Sequence, residues 1–239
     1  MRQKLETFPP GNFPGTFFGV FPMVSLALQK SSASKAPSSL VLAASVAVAA
    51  VLWFFSFYVA LGNFWIKIAC SAACLACLAA YFGERPSQWF AFTKKDLLWG
   101  LASAAALYFI FFVGNAVSRL LFSFADTQVG GLYQKGEGTG AGLILPILLF
   151  VTGPCEEIYW RGFLQKNLME RLGPHKGIAL ATVLYALVNL PAKNFMLMGA
   201  AVVAGLFWGF MFLKLGRVPA LIISHSVWGV VIFAVFPIA

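Results

Sequence analysis

The chain has 239 residues, of which 60% are hydrophobic and only 10% carry a charge, and its mean hydropathy is +0.84. Soluble domains carry roughly 25% charged residues, so this composition excludes an ordinary soluble domain and predicts an all-α, polytopic membrane protein. The net charge of +9 does not indicate nucleic-acid binding, because the basic residues lie in short clusters between apolar segments. The lipid bilayer is the expected surrounding.

The first 37 residues form a polar segment that is rich in Pro, Gly and Ser. Its apolar stretch, Phe17–Leu28, is too short to cross about 30 Å of hydrocarbon as a helix. We expect an interfacial segment there, with disorder as the alternative. Pro22 interrupts the stretch and no small-residue cleavage site follows it, so a cleavable signal peptide is not expected.

Apolar segments of membrane-spanning character fill the rest of the chain, and we expect a helical bundle of about seven transmembrane helices. Residues 38–139 supply accessory helices, and residues 140–239 form the core. Polar loops are expected at Gly83–Lys95 and Ala125–Gly140. The predicted spans are Ser38–Leu61, Phe64–Phe82, Asp96–Phe124, a fourth that starts near Ala141, Gly177–Leu190, Phe195–Leu213 and Val218–Ile238.

The distribution of Lys and Arg predicts the orientation of this bundle. Most basic residues fall in alternate connections, which are cytoplasmic if the N-terminus is cytoplasmic, and only Lys135 and Lys193 then lie in outside loops. Arg119, near the outer end of the third span, is an exception that snorkelling explains. We therefore expect a multi-pass protein of the inner or plasma membrane with a cytoplasmic N-terminus.

Small residues recur at helical spacing in two of the spans, a pattern that is typical of close helix packing. No paired cysteine framework is visible, so structural disulfides are not expected. The residues concerned are Cys70, Cys74 and Cys77 in the second span and Ala201, Gly205 and Gly209 in the sixth.

Two adjacent glutamates, Glu156 and Glu157, lie late in the apolar fourth span, with Arg161 one helical turn further on. Each charged group inserted into the membrane costs about 2.5–3.5 kcal/mol, so the pair indicates a functional site. Asn189 in the fifth span and His225 in the seventh are polar residues that we expect, with the glutamates, in the inner half of the membrane. At 1.5 Å per residue, His225 lies about 12 Å into its span. We expect these segments to converge on one polar cavity.

Helical geometry suggests different roles for the two glutamates. Glu157 and Arg161 are at i,i+4, the spacing of an ion pair, so a structural pairing is at least as plausible as a chemical role. Glu156 points about 100° away around the helix and is free to face the cavity, where a desolvated carboxylate is a competent general base for water. His225 is expected to share that water or carry the proton, or to be an interhelical hydrogen bonder. An isolated asparagine such as Asn189 commonly forms a hydrogen bond between membrane helices.

The segment Glu156-Glu157-x-x-x-Arg161, followed by Gly162-Phe163-Leu164, resembles the first motif of the CPBP family of intramembrane proteases. This family includes the type 2 CAAX prenyl proteases and bacteriocin-processing (Abi) proteins. The resemblance covers about residues 140–239. Its second motif, aromatic-x-x-x-His, corresponds to Tyr185 through Asn189, with asparagine in place of histidine. Its third motif, His-x-x-x-Asn or Asp, corresponds to His225 through Gly229, with glycine at the last position.

The resemblance implies a glutamate-dependent protease in which Glu156 polarises a water that attacks a peptide carbonyl. His225 is the surviving family histidine, and we expect Asn189 to serve as the oxyanion donor. Glu157 and Arg161 complete the expected site. The implied partner is a membrane protein or peptide substrate, whether a prenylated C-terminus, a leader peptide or a sorting tail, and no cofactor is expected.

Other functions remain open on the sequence alone. The departures at Asn189 and Gly229 favour a non-catalytic family member that binds a membrane peptide or assembles with a partner. A proton-coupled transporter that uses Glu156 ranks last, because no inverted repeat is visible. A zinc site would need both glutamates with His225, and a Cys155 nucleophile would need His225 as its base; neither is favoured.

Overall fold

The computed structural model describes residues 36–83 and 90–238. In these ranges the chain is helical and contains no strand. The expected segment Phe17–Leu28 and the basic residue Arg85 lie outside the described residues. We number the helices α1 (Ser39–Tyr58), α2 (Phe64–Phe82), α3 (Lys94–Leu121), α4 (Ala125–Gln134), α5 (Ala141–Leu172), α6 (Pro174–Leu187), α7 (Phe195–Leu215) and α8 (Pro219–Val235).

Five of these helices, α1, α2, α3, α5 and α7, are long and apolar enough to cross a membrane. Their outward faces carry large apolar side chains such as Phe109, Leu120 and Phe150, which are all more than half exposed. Such a surface is stable only against other apolar material, so the chain is an integral, multi-pass membrane protein. The expected number of about seven spans is not confirmed, because α6 has 14 residues and α8 is also a shorter apolar helix.

Polar side chains set where the accessory helices begin. The Ser38 hydroxyl accepts a hydrogen bond from the Val41 amide at the start of α1. Asn63 does the same for α2, accepting from the Trp65 amide at 2.9 Å, after a tight turn in which Gly62 has φ +76°. A capping box of Thr93 with Asp96 opens α3. These caps satisfy amides that a helix start leaves without partners.

The segment Ala125–Gly140 was expected to be a polar loop, and this prediction is wrong over α4. Ala125 and Val129 are buried, and the Gln128 carbonyl accepts a hydrogen bond from Asn194 at 2.7 Å, so α4 packs against the start of α7. Asp126, in the first turn of α4, also forms an ion pair with Arg119 at 2.6 Å. The glycines and polar residues concealed this short amphipathic helix, which tertiary contacts stabilise.

Two lysines of the expected outside loops bind the end of α1. The Lys135 ammonium donates to the Phe57 carbonyl at 3.4 Å, and Lys193 lies over the ring of Tyr58. A helix C-terminus carries partial negative charge and open carbonyls, so cations are favourable there. These contacts give both lysines a role that does not depend on the orientation of the bundle.

The small residues of the two predicted stripes behave differently. A Cβ at Gly205 would lie 2.9 Å from Thr182, and one at Gly209 would lie 3.0 Å from Ile178, so the stripe in α7 is confirmed as a close contact with α6. The prediction for the cysteine stripe, in contrast, is wrong. Cys70, Cys74 and Cys77 are free thiols on the exposed side of α2. The buried face of that helix is instead formed by Ile68, Ala72, Leu75 and Ala79.

The core of the structure surrounds α5 and α8, which run antiparallel. α8 packs between α3 and α5, α2 covers the other side of α5, and α6 packs on α7. Pro146 and Pro154 interrupt the regular hydrogen bonding of α5, which includes π-helical segments at Leu148–Thr152 and Ile158–Gln165. Such irregular turns occur frequently at functional sites, and here they flank the paired glutamates.

Candidate active site

The two neighbouring glutamates of α5 have different partners. Glu156 is buried, lines a cavity and accepts a hydrogen bond from the Tyr185 hydroxyl through Oε2 at 3.1 Å. Glu157 is fully buried and does not line that cavity. This division agrees with the roughly 100° that separates consecutive residues around a helix.

Glu157 joins an arginine and a histidine through one oxygen atom. Its Oε1 accepts a hydrogen bond from Arg161 Nη1 at 2.9 Å and lies 2.8 Å from His225 Nδ1. All three side chains are at least nine-tenths buried. Buried charges are tolerated when they are paired in this way, and the contact fixes one ring nitrogen of His225 toward Glu157.

Aromatic rings of neighbouring helices hold this cluster. The Arg161 guanidinium lies 4.8 Å from the centre of the Tyr185 ring and 5.2 Å from that of Trp208. His225 stacks on Trp208, with ring centres 4.1 Å apart and planes 19° from parallel. Trp208 is itself held by a hydrogen bond from its indole nitrogen to the Ser224 hydroxyl at 3.0 Å. Cation–π attraction and stacking therefore add to the ion pair.

Asn189 follows α6 and lies at the same cavity. Its amide nitrogen donates to the backbone carbonyl of Tyr185, one turn earlier, at 2.8 Å, and its side chain is buried. An asparagine amide nitrogen carries two hydrogens, so this contact uses one of its two donors. Asn189 is thus oriented by the last turn of the helix that precedes it rather than by a neighbouring helix.

A close contact of α5 with α8 brings the glutamates to the histidine. A Cβ added at Gly153 would lie 2.3 Å from Ser226 Oγ and 2.9 Å from the Ser226 backbone, so only glycine fits there. The Ser226 hydroxyl donates to the Leu149 carbonyl at 3.0 Å, within a π-helical turn of α5. Small residues and irregular backbone therefore permit the approach of the two helices.

The cavity has a volume of about 150 Å³ and two chemically different ends. Three residues spaced four apart line it from α5 (Leu148, Thr152, Glu156), and four line it from α8 (His225, Trp228, Gly229, Phe233). Because the helices are antiparallel, Glu156 and His225 share one end. The polar end consists of Thr152, Glu156, Tyr185, Asn189 and His225, and the aromatic end of Phe57, Phe64, Trp65, Phe111 and Phe233.

The predicted site residues thus fall into two groups. Glu156, Asn189 and His225 line one cavity, while Glu157 and Arg161 lie behind His225. Another candidate of the sequence, Cys155, does not line the cavity. Within residues 36–83 and 90–238, no group of three or more His, Cys, Asp and Glu residues is arranged to hold a metal ion.

Sequence reasoning missed the residues that support this site from outside the motifs. In the sequence, Trp208 is one apolar residue among many in the sixth span, and Ser226 carries no signal beyond its place next to His225. The indole nitrogen of a buried tryptophan needs a hydrogen-bond acceptor, and the Ser224 hydroxyl, next to His225, accepts from Trp208. Tyr185 enters the sequence argument only as the aromatic residue of a motif, although it lines the same cavity as Asn189.

A multi-pass helical protein with a buried glutamate, an amide and a histidine around one membrane cavity belongs to the class of candidate intramembrane enzymes. Residues 139–231 match the family model Rce1-like, described as type II CAAX prenyl endopeptidase Rce1-like. The match supports the resemblance of this segment to the CPBP family, and Rce1-like is a family of proteases. No curated protein and no solved structure gave a match to the chain.

Proposed function

We propose that the protein is an intramembrane endopeptidase that hydrolyses a peptide bond of a membrane-associated protein or peptide, with Glu156 as the group that activates water. The observation that carries this proposal is the placement of Glu156 at the polar end of the cavity. Oε2 is held by the Tyr185 hydroxyl, and Oε1 makes no hydrogen bond within the described part of the chain. Oε1 is therefore the oxygen that receives the water.

Glu156 takes a proton from the water as the water oxygen attacks the carbonyl carbon of the substrate. The new C–O bond converts the carbonyl oxygen into an oxyanion. When this intermediate collapses, the C–N bond breaks, and the proton held by Glu156 passes to the leaving nitrogen. Tyr185 orients the carboxylate throughout and is a positioning residue.

Two neighbours of Glu156 supply the remaining polar groups. The amide hydrogen of Asn189 that is not bonded to Tyr185 stabilises the oxyanion. His225 presents Nε2 to the cavity, because its Nδ1 is engaged by Glu157. Glu157 and Arg161 act through His225, by fixing its ring and balancing charge in a medium of low dielectric constant.

The topology completes the proposal. With a cytoplasmic N-terminus, α5 runs inward and α8 runs outward, so the polar end of the cavity lies toward the cytoplasmic half of the membrane. Excess Lys and Arg in alternate connections supports this orientation. Cleavage is accordingly expected near the cytoplasmic surface.

A non-catalytic role in peptide binding or assembly is the second candidate, and Gly229 favours it. This residue lines the cavity one turn after His225 and brings no side-chain donor. The loss of one oxyanion donor typically lowers a rate by about 10²–10³-fold, so the contribution of Asn189 decides between the two functions.

The test compares membrane-protein termini in the native host among three strains. They carry the wild-type chain, Glu156→Gln and Glu170→Gln; Glu170 is exposed on the same helix and provides a matched control. New N- and C-termini are mapped by mass spectrometry. We expect one set of termini to disappear in Glu156→Gln and persist in Glu170→Gln. The same termini in all three strains, at equal protein levels, would refute the proteolytic function.

A further inference from the structure

The middle of the cavity wall contains an open position at Gly229. A Cβ built on Gly229 would meet one atom outside its own helix backbone within 4 Å, Leu148 Cδ2 at 3.6 Å, which is an ordinary van der Waals contact. Gly153 and Gly205 differ, because a Cβ there would collide with the helix opposite. Close helix packing therefore does not require glycine at position 229.

Gly229 lies between the polar end and the aromatic end of the cavity. His225 precedes it by one turn and Phe233 follows it by one turn, and all three line the cavity. A side chain at position 229 would project into the passage that connects the two ends. The size of this residue therefore decides how much of the aromatic end can be reached from Glu156.

The aromatic end suits one uncharged, apolar group. Among the residues that line the cavity, Glu156 is the only one with a charged side chain, and it lies at the polar end. Trp65 and Phe233 meet edge to face, with ring centres 5.6 Å apart, and Phe57 and Phe64 at 5.3 Å. The residues that line this end carry no charge, so a charged substrate side chain there would be costly to desolvate.

The volume limits the size of that group. An engineered protein cavity of about 150 Å³ with apolar walls binds benzene, and this cavity has the same volume over its polar and aromatic ends together, so its aromatic end has room for at most one Leu- or Phe-sized side chain. A prenyl or fatty acyl chain contains many more carbon atoms and would extend beyond this space.

We propose that Gly229 is a specificity-determining residue that opens the aromatic end of the cavity to one large apolar side chain of a peptide, next to the bond presented to Glu156. The identification of the bound molecule as a peptide rests on the proposed function. The selectivity itself is a binding property, and it is measured without cleavage.

The experiment uses the full chain with Glu156→Gln, reconstituted in bilayers, and the N-acetyl amide of a photoreactive leucine analogue that carries a diazirine. Cross-linked positions are located by mass spectrometry. The probe is expected to label the walls around Leu148 and Phe233, and Gly229→Leu is expected to reduce this labelling about tenfold or more, the scale on which pockets distinguish apolar groups. Gly229→Ala should have a smaller effect.

Gly114→Leu is the matched control, because a Cβ at Gly114 has no neighbour within 4 Å and the residue does not line the cavity. Labelling in this variant should equal that of the parent. Excess N-acetyl-phenylalaninamide should compete with the probe, whereas N-acetyl-alaninamide and farnesol should not.

Equal labelling of the Gly229→Leu and Gly114→Leu proteins overturns the inference, as does competition by farnesol that is as strong as competition by the phenylalanine amide. Selective labelling in a protein whose wild type cleaves nothing in the native host would sustain the inference and remove the proteolytic function. Cleavage in the native host, combined with labelling that does not depend on the size of residue 229, would overturn the inference and leave the proteolytic function standing.

Discussion

Glu156 and Glu157 are adjacent in the chain, yet their carboxylates enter separate networks: the first accepts from Tyr185 at the cavity, and the second binds Arg161 and His225 behind it. One residue along the helix therefore separates a carboxylate that faces the cavity from one that binds Arg161 and His225. Both the proposed chemistry and the stability of the core depend on this separation.

Replacing Tyr185 by Phe tests the hydrogen bond to Glu156. The ring is kept, and with it the contacts to Trp160 at 5.0 Å and to Arg161 at 4.8 Å, so we expect normal folding. A hydrogen bond to a charged group contributes about 1.5–3 kcal/mol, which corresponds to a fall in kcat of about 10–100-fold. KM should change little. The rates are measured on the substrate identified from the native host.

Tyr81→Phe is the control for this substitution, since Tyr81 is exposed on α2. A Tyr185→Phe protein that retains the wild-type kcat would show that Tyr185 does not orient the general base.

Removal of the Asn189 amide tests the proposed oxyanion donor. We expect Asn189→Ala to lower kcat by about 10²–10³-fold, the typical effect of one lost donor. Its present hydrogen bond is local, to the Tyr185 carbonyl four residues earlier, so the thermal midpoint should fall only slightly. Cleavage of the same substrate at the wild-type rate would exclude Asn189 from the chemistry.

A methyl group at Gly153 is expected to separate α5 from α8. In Gly153→Ala the new Cβ meets Ser226, including its backbone, so the helices must shift and Glu157 loses its contact geometry with His225. We expect a lower thermal midpoint in detergent and a loss of cleavage. Gly142→Ala, on the same helix with no atom within 4 Å of the new Cβ, should behave like the wild type. Equal midpoints for the two variants would show that α5 and α8 tolerate a wider spacing.

The sequence predicts the positions of the long apolar helices well, because length and hydropathy alone determine them. It also predicts that Glu156 and Glu157 face different ways, because helical geometry fixes the angle between neighbours. The helix Ala125–Gln134 and the outward-facing cysteines of α2 were not predicted. Which side of an apolar helix meets lipid depends on partners that are distant in the chain, and the single charged residue of α2, Lys67, gives little signal for that choice.

The site was predictable to a similar degree. Polar residues in apolar spans identify Glu156, Asn189 and His225, since each is costly in a membrane without a role. The aromatic support from Trp208 was not predictable, because an apolar span contains many such residues. The bond from His225 to Glu157 also depends on the close contact at Gly153, which only the three-dimensional arrangement reveals.

The most direct test of the central claim is a single-turnover measurement in proteoliposomes that compares wild type, Glu156→Gln and Glu157→Gln. We expect Glu156→Gln to fold with an unchanged thermal midpoint and to cleave about 10³-fold more slowly, within the range for the loss of a general base. Glu157→Gln should instead show a lower midpoint, because Arg161 loses its buried partner. Wild-type cleavage by a folded Glu156→Gln protein would contradict the account.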